Sequence, residues 1–243
     1  MEEKQNKSKD EIVDELLGEP SEVTVQIELP SKSKFYGYKG PIVIKPIRLG
    51  DELAVISAKK GIADPINALM TRVVPNIDIN DLLLLDKLFI LIKLRQISSG
   101  DTLKAPVPCK SCNTINDLTV VLSQLPVVPF PDDYTDPMEL ELPLCKKKVL
   151  VRLPKVRDEL FIIDQKAVLT HLWRFVSKVD KHTDQTIITK FLDKIKSGDT
   201  NVILKHILGT KYGIQTTVAF ECDKCQIKNI IALPLTSDFL SET

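Results

Sequence analysis

The chain reads as an α+β protein, with β-strands near the N-terminus, a central helical region and two β-hairpins that each carry a Cys-x-x-Cys pair. Three observations predict this. In "SEVTVQIELP" (21–30), Val23, Val25 and Ile27 alternate with polar residues, the period of a half-buried strand. In "INDLLLLDKLFILIKLRQI" (79–97) the apolar run is too long for one strand and is closed by Ser98, Ser99 and Gly100. "CKSC" (109–112) and "ECDKC" (221–225) each stand between strand-like runs.

The elements follow in order. In the polar opening, Ser8 and Glu11 have the spacing of a capping box, and Ile12, Val13, Leu16 and Leu17 would share one helical face. After the first strand comes the turn-rich "SKSKFYGYKGP", then a second strand, "IVIKPIRL", where Pro46 hints at an edge or bulge. Residues 51–60 and 64–74 read as short helices separated by Gly61, with Asp64 before Pro65 as a helix start. The long helix is expected from about 80, beginning near Asn80 or Asp81. Pro126, Pro129, Pro131 and Pro137 make 126–137 largely non-helical. "MELELPLCKKKVLVRLP" supplies two strands. Helical patterns return at 158–179, 184–196 and 200–208, the last with Asp199 as N-cap and Gly209 past its end. The order helix, glycine turn, strand, CxxC, strand, Leu-Pro occurs twice, a weak internal repeat. We therefore divide the chain into a flexible N-terminal arm (1–20), an α/β half ending in the first CxxC hairpin (21–125), a proline-rich linker with strands (126–157) and a helical half ending in the second hairpin (158–243).

Composition narrows the function. With 43% apolar residues in 243, the chain can bury a sizeable core. Lys plus Arg equals Asp plus Glu at 33 each, which speaks against a general nucleic-acid or membrane-surface binder. The N-terminus lacks a signal-peptide core. Asp86, Lys87, Lys93 and Arg95 interrupt the long apolar run, and each would cost about 2.5–3.5 kcal/mol at mid-bilayer, so no membrane span is expected. A reducing compartment follows, and with it no structural disulfides.

The cysteines carry the chemistry. Cys109, Cys112, Cys222 and Cys225 supply four thiolates, the set that a tetrahedral structural Zn²⁺ takes, and a two-residue spacer lets both sulfurs of a knuckle reach one ion. This predicts a zinc-ribbon-like element assembled from both hairpins. The 109 intervening residues are long for a ribbon, but loop-closure entropy grows only logarithmically, and the insertion would be a folded subdomain pinned at both ends. Lys110, Lys224 and Lys228 would offset the thiolate charge. Two other readings stay open: a redox CxxC, which needs a following helix that neither pair shows, and thiols that hold no metal or never meet. Cys145 reads as a small buried filler.

No catalytic constellation emerges. His171, His182 and His206 fall on helix-patterned or turn segments, and no HExxH, GxSxG, phosphate-binding loop or dinucleotide fingerprint occurs. No enzyme and no small-molecule substrate are expected. The alternative is a zinc-ribbon nucleic-acid-binding factor using Lys146, Lys147, Lys148, Arg152, Lys155 and Arg157. Against it, the run alternates as a strand with a solvated edge, and no stacking aromatics interleave.

Four features in this order resemble the baseplate hub subunits or hub assembly chaperones of T-even-type contractile-tailed phages. They are "ELPSKSKFY" (28–36) leading into "IVIKPIRLGDELAV", "IDINDLLLLDKLFILIKLR" (77–95), the step through Gly100 into "CKSC", and "GTKYGIQTTVAFECDKC" (209–225). The resemblance spans most of the chain from about Val23 to Phe239. It departs at Ser33, where the family's motif usually has a glycine. The resemblance implies a non-enzymatic role in virion assembly. The chain would bind other hub or spike proteins while the baseplate centre is built in the host cytoplasm, either as an assembly chaperone only or as a subunit kept in the tail baseplate of the virion.

Overall fold

Ser8 opens the first helix in the computed structural model of the protein, which describes residues 7–18, 23–57, 65–233 and 239–240. The capping box is formed: Glu11 N–H donates to Ser8 Oγ at 3.2 Å and Ser8 N–H to the Glu11 carboxylate at 2.7 Å. Helix α1 (Lys9–Leu17) ends at Gly18, left-handed at φ 72°. None of its residues is buried, and Leu16 is 81% exposed.

Strands β1 (Val25–Ile27) and β2 (Ile42–Ile44) pair antiparallel with Val25 opposite Ile44. In the connection Lys32 and Ser33 both take left-handed backbone at φ 54°, the conformation that favours glycine, and Ser33 Oγ donates to Gly40 O at 2.9 Å. Helix α2 (Leu49–Ser57) precedes α3 (Pro65–Val73), where Pro65 holds the first helical position and Leu69, Met70 and Val73 are buried. The expected Gly61 break and Asp64 start lie outside the described residues, as do residues 1–6, 19 and 20 of the arm.

The long helix starts later than its pattern suggests. Asp78 accepts the Asn80 N–H at 2.9 Å, which sets up a 3-10 turn at Ile79–Asp81, not the helix itself. Leu82 and Leu83 then run extended, with Val156 N–H donating to Leu82 O and Leu84 N–H to Pro154 O. Helix α4 (Leu84–Ser99) begins only there. It is covered nearly all round, burying Phe89, Ile90, Leu91, Ile92 and Leu94 together with Asp86, Lys87 and Arg95. Two of these charges have close protein partners, whereas Arg95 makes one long contact, Nη2 to Thr102 O at 3.5 Å. Asp86 accepts the Ser31 N–H at 3.2 Å and the Tyr36 hydroxyl, and Lys87 pairs with Glu159 at 2.5 Å. Among the described residues no helix is long and apolar enough to cross a membrane.

Beyond Gly100, strands β3 (Thr102–Pro108) and β4 (Ile115–Val121) form the first cysteine hairpin. The proline-rich stretch contributes only β5 (Val127–Val128), paired to β9 (Gly213–Ile214). Strands β6 (Met138–Glu141), β7 (Lys148–Val151) and β8 (Val176–Val179) make an antiparallel sheet. It packs with α5 (Gln165–Thr170), α6 (Gln185–Leu192) and α7 (Ser197–Leu208) around Leu142, Val149, Val151, Phe175, Ile188 and Ile203. This second core comes wholly from the residues between the two cysteine pairs. The helical pattern at 158–179 is overridden. Only 165–170 is α-helical, and Val176–Val179 joins the sheet because its valines meet Val149 and Val151 across the pairing. Asp199 does not cap α7 either: it lies inside the first turn, fully buried, and bonds elsewhere. Strands β10 (Thr217–Glu221) and β11 (Lys228–Ala232) form the second cysteine hairpin.

Candidate metal centre

Each CxxC sits in a six-residue hairpin turn. In the first, Cys109 N–H donates to Thr114 O at 2.9 Å and Asn113 N–H to Cys109 O at 3.0 Å. In the second, Cys222 N–H donates to Ile227 O at 3.1 Å and Gln226 N–H to Cys222 O at 2.8 Å. Asn113 and Gln226 both have φ 57°, the left-handed step that turns the chain back into the return strand. Both pairs are followed by strands, β4 and β11, so neither has the helix N-terminus that a redox CxxC uses to activate a thiol.

The two knuckles face each other. Cys109 Sγ lies 3.6 Å from Cys225 Sγ, and Cys112 Sγ lies 3.7 Å from Cys222 Sγ. All four sulfurs are within 4.8 Å of one another, with Cys109 and Cys222 buried and Cys112 and Cys225 half-buried. A disulfide needs about 2.0 Å, so these are free thiols. Zn–S bonds near 2.3 Å in a tetrahedron set sulfurs about 3.8 Å apart, which fits the cross-knuckle spacings. The reading in which the pairs never meet is thereby overturned.

Side chains outside the motif hold the halves in register. Asn229 Oδ1 accepts the Lys110 N–H at 2.9 Å, and Asn116 Oδ1 accepts the Asp223 N–H at 2.9 Å. Asn229 also turns its amide to Cys109 Sγ at 3.4 Å. Both asparagines are buried. Sequence reasoning missed them, although each stands seven positions after the first cysteine of its pair. Lys110 also crosses the joint, Nζ donating to Ile230 O at 2.8 Å.

The electrostatics suit a cation. The Cys112 and Ser111 N–H groups hold the Cys109 thiol down to about 6, and Thr114 lowers Cys112. The Ile227 N–H lowers Cys225 too, but burial and the neighbouring sulfurs outweigh it and push that thiol up to about 12. Four sulfurs this close resist full ionisation until a positive ion sits between them.

Comparison with protein families settles what kind of chain carries this centre. A family model described as T4 bacteriophage base plate protein matches residues 21–241. The chain belongs to this base plate protein family. Comparison with curated proteins and with solved structures gives no match.

In this base plate protein the basic run is spent on internal partners. Lys147 pairs with Asp180 at 2.9 Å, Lys148 with Glu139 at 2.7 Å, Arg152 with Asp158 at 2.6 Å and Lys155 with Asp81 at 3.6 Å, and Arg157 also meets Asp81. Five of the six cations named for a nucleic-acid surface are therefore already matched by carboxylates. The histidines stand apart from the sulfurs. His171 bonds back to Ala167 O at 2.9 Å and packs on Phe161, and His182 closes the turn after β8.

Proposed function

We propose that this protein acts by protein–protein contact in assembling the hub of the phage baseplate, with a structural Zn²⁺ held by Cys109, Cys112, Cys222 and Cys225. The observation that carries the metal half is the convergence of four sulfurs, from segments 109 residues apart, within 4.8 Å. Thiolates in a tetrahedral set favour zinc or iron–sulfur chemistry, and a four-cysteine zinc site has no open position for water or substrate. The ion would act as a clamp, tying the return strand β11 to the first hairpin and closing the loop that contains the second core. Such a centre contributes rigidity, not turnover, which agrees with a non-enzymatic role among hub and spike proteins.

The docking element we assign is α1, whose Ile12, Val13, Leu16 and Leu17 stand exposed. Nucleic-acid binding is the weaker reading, since its cations are paired within the chain. The test is capture of the tagged protein from infected cells with metal analysis of the same sample. Hub or spike proteins together with one equivalent of zinc per chain are expected. A sample free of zinc removes the clamp, and one free of baseplate proteins removes the assembly role.

A further inference from the structure

The turn that builds each cysteine knuckle occurs a third time, in β6–β7. There Leu142 N–H donates to Lys147 O at 2.8 Å and Lys146 N–H to Leu142 O at 2.9 Å, and Lys146 has φ 56°. The flanking register agrees as well: Pro108 faces Ile115, Glu141 faces Lys148 and Glu221 faces Lys228. Leu142 therefore occupies the place of Cys109 and Cys222, and Cys145 the place of Cys112 and Cys225. Glu141, Cys145 and Lys148 match Glu221, Cys225 and Lys228 residue for residue. Where the other two hairpins have Asn116 and Asn229, this one has Val149, buried in the second core.

The difference lies in what the turn's N–H groups find. In the first knuckle Ser111 N–H points to Cys109 Sγ at 3.4 Å, and the Cys112 N–H joins it. Leu142 offers no such acceptor. The equivalent groups, Leu144 N–H and Cys145 N–H, donate to Asp199 Oδ1 at 2.8 Å and Oδ2 at 3.1 Å. Asp199 is fully buried in the first turn of α7. Burial by itself would raise its carboxyl, yet the two N–H groups and the Cys145 thiol hold it below the usual carboxylate range. A turn of successive N–H groups is an anion-binding concavity, and here the anion comes from the chain itself.

We infer that β6–β7 is a third knuckle that works without metal, the Asp199 carboxylate taking the thiolate's place and bolting the hairpin to α7. Cys145 is then no ligand. Order in the inserted subdomain is independent of metal, whereas the joint between the other two knuckles depends on it; this last clause rests on the zinc reading.

Site-resolved amide exchange on the full-length, metal-loaded protein tests this, with metal content measured alongside. Asp199→Ala should raise exchange at Leu144 and Cys145 by about tenfold or more and leave the metal content unchanged. Asp199→Asn, which keeps the shape and one acceptor oxygen, should raise it less. Cys145→Ala should leave the metal content unchanged. Chelation of the wild type should expose the Asn113 and Gln226 amides while Leu144 and Cys145 stay protected. Unchanged exchange in both Asp199 variants overturns the inference, as does loss of metal in Cys145→Ala or deprotection of Leu144 and Cys145 by the chelator. If chelation leaves Asn113 and Gln226 untouched, the zinc reading falls and the Asp199 assignment stands on its variants.

Discussion

Asn116 and Asn229 hold each other's knuckles: each accepts, at 2.9 Å, the N–H of the residue after the first cysteine of the opposite hairpin. The exchange is reciprocal, so the two hairpins meet as near-equivalents about a local twofold. The asparagine side chains are buried but the N–H groups they accept belong to exposed residues, so each truncation forfeits one part-buried bond without stranding a fully buried donor. Asn116→Ala and Asn229→Ala should each lower stability by about 0.5–1.5 kcal/mol in denaturant titrations. Asn229→Ala should also weaken metal affinity more than Asn116→Ala, because its amide faces Cys109 Sγ. Equal metal affinities in a competition assay would show that this contact is idle.

The sulfurs give a second prediction. Cobalt added to the apo protein should produce the intense thiolate charge-transfer and visible bands of a tetrahedral S4 site at one equivalent. Replacing Cys109 or Cys222 by Ser removes a buried thiol from the proposed set of four, and should abolish tight binding and lower the thermal midpoint. Cys145→Ser should leave the cobalt spectrum as it is. A spectrum that survives Cys222→Ser would separate the second hairpin from the site.

How much of this was legible beforehand follows from where the information sits. The CxxC spacing and its strand flanks are local, so the two hairpins and the four candidate ligands could be read directly. The capping box at Ser8 and Glu11 is local too. The boundary of α4 is not local. Leu82 and Leu83 have helix-compatible side chains, and only their pairing with 154–156 draws them into extended backbone. Val176–Val179 becomes a strand for the same reason, because its partner is Val149–Val151. Asp199 has the composition of an N-cap, but turn N–H groups 54 and 55 positions away claim its carboxylate. Asn116 and Asn229 did leave a trace, the shared pattern C-x-x-C-x-x-x-N, which becomes meaningful once the knuckles are known to face each other.

Asp158 anchors a third prediction. Its carboxylate is fully buried and takes both Arg152 nitrogens, at 2.6 and 2.9 Å, and the Lys155 N–H at 2.9 Å. Burial would raise this carboxyl, but the Arg152 fork, the Lys155 N–H and the nearby Arg174 bring it below its ordinary value. A carboxyl lowered in the folded state adds stability above its unfolded pKa of about 3.9, and loses it as the pH falls through the folded value. Acid unfolding should therefore draw on this pair only below about pH 4. Arg152→Ala leaves the buried carboxylate without its fork and should cost about 3 kcal/mol at neutral pH. Circular-dichroism melts across pH would detect both, and an unshifted neutral melting point would contradict the second.

The ion pairs along 147–157 predict weak behaviour on polyanions. With Lys147, Lys148, Arg152, Lys155 and Arg157 facing carboxylates, few cations of this run are free to release counterions from a phosphate backbone. Little retention on DNA is expected even at low salt, and a steep dependence of log affinity on log salt would restore the nucleic-acid reading.

Helix α1 supplies the last prediction. Its caps are complete at both ends, yet a nine-residue helix is marginal in water without packing, and it buries none of its own residues. Ile12, Val13, Leu16 and Leu17 are each at least 44% exposed, so the intramolecular fold gains little from them. Deleting residues 1–20 should therefore move the thermal midpoint by about 2 °C or less, the scale of a surface change in a chain of this size. If the apolar face is the docking element, the same deletion should cut recovery of baseplate partners sharply. Ile12→Glu combined with Leu16→Glu should do likewise while leaving the midpoint in place, since both changes fall on solvent-facing positions of one helical face. Unchanged partner recovery from either variant would move the docking surface away from the arm, whereas a large drop in the midpoint would mean that α1 packs on its own chain.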